Sequence, residues 1–404
     1  MSDIYEHLYT ERARGVQPSA IREICKVCGR ENVKSLAGGW PDAASFPSEQ
    51  IRQIANELLT NDPEAVLQYG TPEWLPPLRE ELARWAAKED EIACDPDRIL
   101  ILQGSQQGMD LCCRVFLEPG DVVLAGLPTY FGGTGAVNAR GGQVVGVPLD
   151  EQGMDTEALA ATVERLQGVG KKVKGVYVIP NFQNPSGTTL SLERRRKILE
   201  LAAQYRFVIF EDDPYGELRF EGEHLPSLAS LDKTGLVVHF HSASKTFAPG
   251  MRLAWAVAHP DVIDKMDLSK QCSDISCNTL AQFLLLELIR SGGFTEGIER
   301  SRLHYRLKRD LALELMAAHF PDEVSWTRPA GGFFIFVTLP DNVDAGELLK
   351  DALKKNIAYV SGSAFYVDGG GKNTFRLSYS QAGDDVMRSA IPELAELIRK
   401  RLAS

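Results

Sequence analysis

GVYVIPNFQNPSGTTLSLERRRKILELAAQYRFVIFED, residues 175–212, is the stretch whose reading decides the fold. It opens on a β-branched run, GVYVIP (175–180). A loop of Asn, Pro, Ser and Gly follows, then LERRRKILELAAQY (192–205), which reads as a helix. It closes on a second apolar run, FVIFED (207–212). A strand, a crossover helix and a second strand make a parallel pair, because parallel strands need a connection long enough to return to the same edge.

The same rhythm extends both ways. RILIL (98–102) precedes the helical SQQGMDLCCRVF (105–116). DVVLAG (121–126), QVVGVPL (143–149) and LVVHFH (236–241) read as further strands. The alternation predicts an α/β fold with a parallel sheet covered by helices. Upstream, residues 48–60 and 76–88 read as helices, and 19–31 as a short one with Ser19 as N-cap. Near residue 275 the rhythm breaks. Two long helical patterns, 278–291 and 294–319, flank Gly292-Gly293. After them come GGFFIFVTL (331–339), a helix near 345–355, FRLSYS (375–380) and a last helix near 384–402, which together predict a smaller α/β domain. The expected division is an arm and part of the small domain over 1–48, a large domain over 49–290 and the rest of the small domain over 291–404.

Composition narrows the function. The 404 residues carry 44 Lys and Arg against 55 Asp and Glu, a net charge of −11, with no basic tract. Nucleic acid and anionic membranes are therefore not expected partners, and an anionic ligand needs a local cluster of cations. No run approaches the roughly 20 apolar residues of a membrane span. The opening MSDIYEHLYTERARG has no apolar core of a signal peptide. Seven cysteines, an odd number, fit a reducing cytoplasm. Cys25 and Cys28 form a C-x-x-C with no matching second pair, since four residues separate Cys272 from Cys277, so no metal site is expected. Cys112 and Cys113 lie within a helix and read as core.

In open parallel sheets, ligands bind beyond the carboxyl ends of the strands. Beyond RILIL stand Gly104, Ser105 and Gln106, whose backbone N–H groups at a helix start suit an anion. Beyond DVVLAG stands Tyr130, and beyond GVYVIP stands Asn184. Asp212, Asp213 and Tyr215 follow FVIFE; Ser242, Ser244, Lys245 and Arg252 follow LVVHFH. The serines and Arg252 suit a phosphate. Asp212 suits a protonated ring nitrogen, Lys245 a carbonyl, and Tyr130 an aromatic face. Phosphate, ring nitrogen and aldehyde together describe pyridoxal 5′-phosphate.

SASKTFAPGMRLAW (242–255) resembles the Schiff-base lysine signature of the fold-type I, class I/II aminotransferases. PNFQNPSG (180–187) and EDDPYGEL (211–218) resemble the same family's Asn and Asp/Tyr motifs, in the same order. LAGGWPDAASFP, LQYGTPEWLPPLREELA, QGSQQGMDL and FRLSYS also match, so the resemblance covers roughly residues 19–400, and the aminoadipate/kynurenine branch is the most similar. It implies a three-layer αβα sandwich with a mostly parallel seven-stranded sheet, a cytoplasmic homodimer with sites at the interface, and amino and 2-oxo acid substrates. By resemblance, Lys245 holds the cofactor and moves the proton, Asp212 pairs with the ring nitrogen, and Asn184 and Tyr215 bond the ring oxygen. Tyr130 stacks on the ring. Gly104, Ser105, Gln106, Ser242, Ser244 and Arg252 hold the phosphate, with Tyr69 reaching it from the partner subunit. Arg376 grips the substrate α-carboxylate beside Asn184 and the Gly39 backbone, and Arg22 stands where the branch reaches the substrate side chain. The family's spacing selects Asp212 over Asp213 as ring partner; Asp213 is expected to cap or pair locally. Phe365 is open between a pocket wall and the small-domain core.

The chain departs from the pattern at three places: Ala254 where the family usually has Gly, Trp74-Leu75 where it has a Gly-containing pair, and Ser361 where it often has Pro. None removes a catalytic group, and Trp74 bears on which side chains fit. Regulators with a similar domain carry an N-terminal DNA-binding module; the roughly 18 residues before the first match are too few, so none is expected. Gly132-Gly133-Thr134-Gly135 and Gly168-Val169-Gly170-Lys171 fail the spacing of dinucleotide and phosphate-binding loops. A lyase or decarboxylase using the same cofactor, or a non-catalytic sensor, stays open as an alternative, as does a purely structural role for Arg22.

Overall fold

The computed structural model describes residues 5, 7–15, 24, 32–70 and 75–403. Apart from Ile24, the expected helix over 19–31, and with it Arg22, Cys25 and Cys28, lies outside those residues, as does Trp74. In chain order the strands are β1 (Lys34–Ser35), β2 (Ile99–Leu102), β3 (Val122–Leu127), β4 (Gln143–Asp150), β5 (Gly153–Met154), β6 (Val173–Val178) and β7 (Val208–Asp213). They continue as β8 (Val237–Ser242), β9 (Ala254–Val257), β10 (Ser325–Trp326), β11 (Phe334–Thr338), β12 (Ile357–Ala358), β13 (Val360–Ser361) and β14 (Thr374–Ser378).

The large sheet has the order β2-β9-β8-β7-β6-β3-β4-β5. Its centre is parallel, and β9 runs antiparallel to both β8 and β2. Seven strands were expected; the two-residue β5 adds an eighth at one edge through a tight antiparallel hairpin with β4. Strands buried on both faces read as continuous apolar runs. Thus Val123 and Ala125 of β3 enter the core on one face of the sheet, and Val122 and Leu124 the core on the other. Helix Ser105–Phe116 packs on the first face, and Thr156–Gly168 with Leu192–Tyr205 on the second, which gives the three layers.

The helices at 105–116, 192–205 and 384–402 have the ends the sequence predicts. Phe131–Ala139 is a helix despite Gly132, Gly133 and Gly135, residues of low helix propensity that hide it in the sequence. Gly133 is required by a close approach: a Cβ there would lie 2.5 Å from the Tyr177 ring.

The smaller unit is a four-stranded sheet, β10-β11-β14-β13, antiparallel throughout. Helices Ala345–Lys354 and Asp384–Leu402 share its core. The segment after residue 33 belongs here too, since β1 pairs with β12, Leu36 joins the core and Lys34 pairs with Glu393 at 2.6 Å. The 27-residue helix Gly293–His319 serves both cores, giving Phe294 and Tyr305 to one and Leu311 and Met316 to the other. This long helix and the β1 segment place Gly38–Trp40 and β14 over the carboxyl edge of the large sheet, where the site forms.

Candidate active site

The carboxyl ends of β2, β3, β6, β7 and β8 open onto a cavity of about 690 Å³. Ser105, Gln106, Tyr130, Asn184, Asp212, Tyr215, Ser242, Ser244, Lys245, Arg252, Arg376 and Gly39 all line it. Gly104 stands one residue behind Ser105. Tyr69 is 76% exposed and does not line this cavity. Phe365 is buried within the small unit, 5.0 Å from the Arg376 guanidinium, so it supports that arginine rather than walling the cavity. Sequence reasoning missed Trp40, Met109, Phe131, Ile179 and Phe334, all apolar lining. Apolar residues at strand ends and loops look like ordinary core, so nothing in the sequence marked them.

Among the described residues the charged lining is three cations, Lys245, Arg252 and Arg376, against the single acid Asp212. In a chain of net −11, that supplies the local positive field an anionic ligand needs. Arg252 adopts a left-handed backbone, φ +54°, and its guanidinium reaches Ser244 Oγ at 3.4 Å and the Gln103 carbonyl at 3.3 Å. It lies against Gly104, whose φ is +93°, and a Cβ there would come 2.2 Å from Nη2. Only glycine both turns the chain into the helix and leaves room for the arginine. The helix N-terminus, two serines and Arg252 thus form one anion cradle.

Asp212 sits deeper. Tyr177 donates to its Oδ2 at 2.8 Å, while Oδ1 is buried and accepts from no group among the described residues. Burial is the main force on this carboxyl and raises it to about 6, against the Tyr177 hydrogen bond. Such an acceptor awaits a donor, because an unsatisfied buried carboxylate oxygen is costly. Asp213 points elsewhere. It accepts from Asn181 Nδ2 at 2.6 Å and from the Gly216 N–H at 2.9 Å, and so holds the turn after β7.

Lys245 is half-buried, and its amino group donates to the Gly39 carbonyl at 3.0 Å. Burial first, then Arg376 and Arg252, lowers its pKa to about 8, so about a tenth of the amine is neutral at pH 7. Arg376, on β14, donates to Asn184 Oδ1 at 2.8 Å and to the Ala37 carbonyl at 2.6 Å. Its guanidinium lies 4.2 Å from the Phe334 ring centre. Arg376 and Arg252 make two separate cationic points in one cavity, with Lys245 and Asp212 lining it too. This donor set suits pyridoxal phosphate: an anion cradle, an orphaned acceptor for a ring N–H, a suppressed amine for the aldehyde and an aromatic wall in Tyr130.

The five cysteines among the described residues are free thiols. Burial pushes the Cys112 thiol well above its usual range and Cys113 to about 12, as expected of core positions. No described helix is long and apolar enough to cross a membrane.

Residues 35–394 match the family model for aminotransferase class I and II. Aromatic-amino-acid aminotransferase 1 of Thermococcus litoralis is 39% identical over 98% of this chain and 95% of its own length. The crystal structure of the kynurenine aminotransferase of Pyrococcus horikoshii, in complex with PMP, matches with a TM-score of 0.95 and 40% identity, covering 100% of this chain and 99% of that one. That of the alpha-aminoadipate aminotransferase of Thermus thermophilus, complexed with N-(5′-phosphopyridoxyl)-L-leucine, matches with a TM-score of 0.91 and 36% identity, covering 99% of each chain.

Proposed function

The chain belongs to the class I and II aminotransferases and uses pyridoxal 5′-phosphate, and from that premise we propose how its own residues divide the work and what they act on. The observation that carries the reading is the meeting of Lys245, the orphaned Asp212 Oδ1 and Arg376 in one cavity.

The N–H groups after Gly104, with Ser105, Gln106, Ser242, Ser244 and Arg252, would hold the phosphate. Asp212 Oδ1 would accept the ring N–H, with Tyr177 locking the other oxygen. Tyr130 would cover the ring, and Asn184 and Tyr215 would bond its oxygen. When bound, the cofactor supplies a carbonyl that condenses with amines and a cationic ring that accepts the electron pair left by Cα deprotonation. Lys245 holds that carbonyl at rest and, once released, takes the Cα proton on Nζ; a pKa near 8 leaves enough free amine for the task. Asp212 keeps the ring N–H in place by remaining ionised beside it. Arg376 fixes the α-carboxylate and so aims the Cα–H bond at Lys245.

One arginine at one end of one cavity serves amino donor and 2-oxo acceptor in turn, which supports a ping-pong sequence with 2-oxoglutarate as acceptor. Arg376→Ala truncates one side of a buried charge pair and should cost every donor alike about 2–5 kcal/mol in kcat/KM. Steady-state kinetics across donors checks this. A loss confined to dicarboxylic donors would show that Arg376 reads the side chain.

The apolar lining of Trp40, Phe131 and Phe334 supports an aromatic or large aliphatic donor; relatives named for aromatic and kynurenine substrates agree with that, and those named for aminoadipate add a dicarboxylic donor. Arg22 is the candidate cation for a distal carboxylate. Arg22→Ala should lower kcat/KM for glutamate or 2-aminoadipate by about 1.5–3 kcal/mol, the worth of a hydrogen bond to a charged group. Leucine and phenylalanine should change little. A donor screen at fixed 2-oxoglutarate reads both points, and equal losses for both classes would make Arg22 structural.

A homodimer with shared sites is part of this reading. The exposed Tyr69 ring, outside its own cavity, supports its reaching a partner's phosphate cradle. The free thiols support a cytoplasmic location.

A further inference from the structure

Behind the sheet from the active site lies a second cluster of chemistry that transamination does not use. Along β8 alternate residues point oppositely. Ser242 lines the cavity, so His239 and His241 face away from it. Asp90, which caps the C-terminus of helix Pro76–Glu89, reaches the same place. All three are buried, and one ligating atom from each lies within 4.8 Å of the other two.

Each of these side chains presents a polar atom that no described group satisfies: Asp90 Oδ2, His239 Nε2 and His241 Nε2. Three side chains that come together, each with an orphaned polar atom, call for an occupant. His241 Nδ1 and Asp90 Oδ2 are 3.9 Å apart, too far for a hydrogen bond.

We propose that Asp90, His239 and His241 form a buried site for a divalent transition-metal ion of the zinc class. Two imidazoles and a carboxylate are a ligand set that zinc accepts, with a fourth position left for water. For three atoms within 4.8 Å of one another, some point lies within about 2.8 Å of all of them. Contraction by roughly 0.7 Å per ligand then reaches the 2.0–2.1 Å of zinc–imidazole bonds. The outer shell is in place as well. His239 Nδ1 is 3.0 Å from Glu211 Oε2, and a carboxylate on the far nitrogen is the usual partner of a metal-bound histidine, directing Nε2 to the metal. Glu211 and Asp213 add two further buried acids to Asp90, and Glu211 touches His239 directly. Trp85 and Trp255 close the site, with Trp255 stacked on His241 at 4.3 Å. A bound ion would tie the end of helix Pro76–Glu89 to the strand that carries Ser242 and leads to Lys245.

The test uses holoenzyme from cells grown with added zinc, dialysed against EDTA, then unfolded and assayed for metal. About one zinc per chain is expected, falling below about 0.1 in His241→Gln and Asp90→Asn while cofactor absorbance stays. Cys25→Ser/Cys28→Ser should keep the metal. Wild-type protein without metal would overturn the proposal and leave a buried water as the occupant. Metal retained in His241→Gln, or lost with the two cysteines, would overturn it equally. Should His241→Gln fail to fold, the cobalt-loaded wild-type protein decides. Ligand-field bands without a thiolate charge-transfer band support the site, and a thiolate band contradicts it.

Discussion

Changing Lys245 to alanine should remove nearly all turnover while leaving pyridoxal phosphate bound in the cavity. On the proposed roles the substitution takes away two functions at once, the amine that would hold the carbonyl and the base that would receive the Cα proton. A positioned general base alone is worth about 10²–10⁴-fold, and loss of the covalent partner adds to that, so kcat should fall by at least about a thousandfold. The phosphate cradle is untouched: Arg252 still lies against Gly104 and still reaches Ser244. Dialysed Lys245→Ala protein should therefore retain cofactor noncovalently, read from its absorbance. A variant that keeps more than about a tenth of wild-type turnover would assign the proton to another group.

Asp212→Asn is expected to do the next greatest damage. The asparagine preserves shape, and Tyr177 can still approach, but the buried charge proposed to face the ring nitrogen is gone. Removing one member of a buried ion pair costs on the order of 3–5 kcal/mol, or about two to four decades in rate. The loss should appear in exchange of the substrate Cα proton far more than in cofactor affinity, because the phosphate supplies most of the hold. Asp213→Asn is the control. Its partners are Asn181 and the Gly216 N–H, so it should loosen the turn after β7 and leave proton exchange within a few-fold of wild type. The reverse ranking would move the ring partner by one residue.

Much of this was legible in the chain because parallel strands buried on both faces leave apolar runs that punctuation residues frame. The residues beyond β2, β3, β6, β7 and β8 could be picked out because a sheet edge is where chemistry concentrates, and the cavity gathers nearly all of them. What escaped did so for local reasons. β9 is only four residues long and follows β8 with a single 3-10 turn, Pro249–Met251, and no α-helix between them to mark it. Helix Phe131–Ala139 hides behind three glycines, one of which is there to admit Tyr177. Tyr177 itself looks like any aromatic in a strand; only the fold shows its hydroxyl on Asp212. The polar face of β8 was equally silent, since His239 and His241 alternate with apolar residues and the distant Asp90 joins them only in three dimensions.

Lys245 is the residue proposed to carry the cofactor. Borohydride reduction of the holoenzyme, followed by proteolysis and mass mapping, tests that directly. The phosphopyridoxyl adduct should lie on the peptide containing Ser244-Lys245-Thr246 and on Lys245 alone; an adduct on any other lysine would contradict the account.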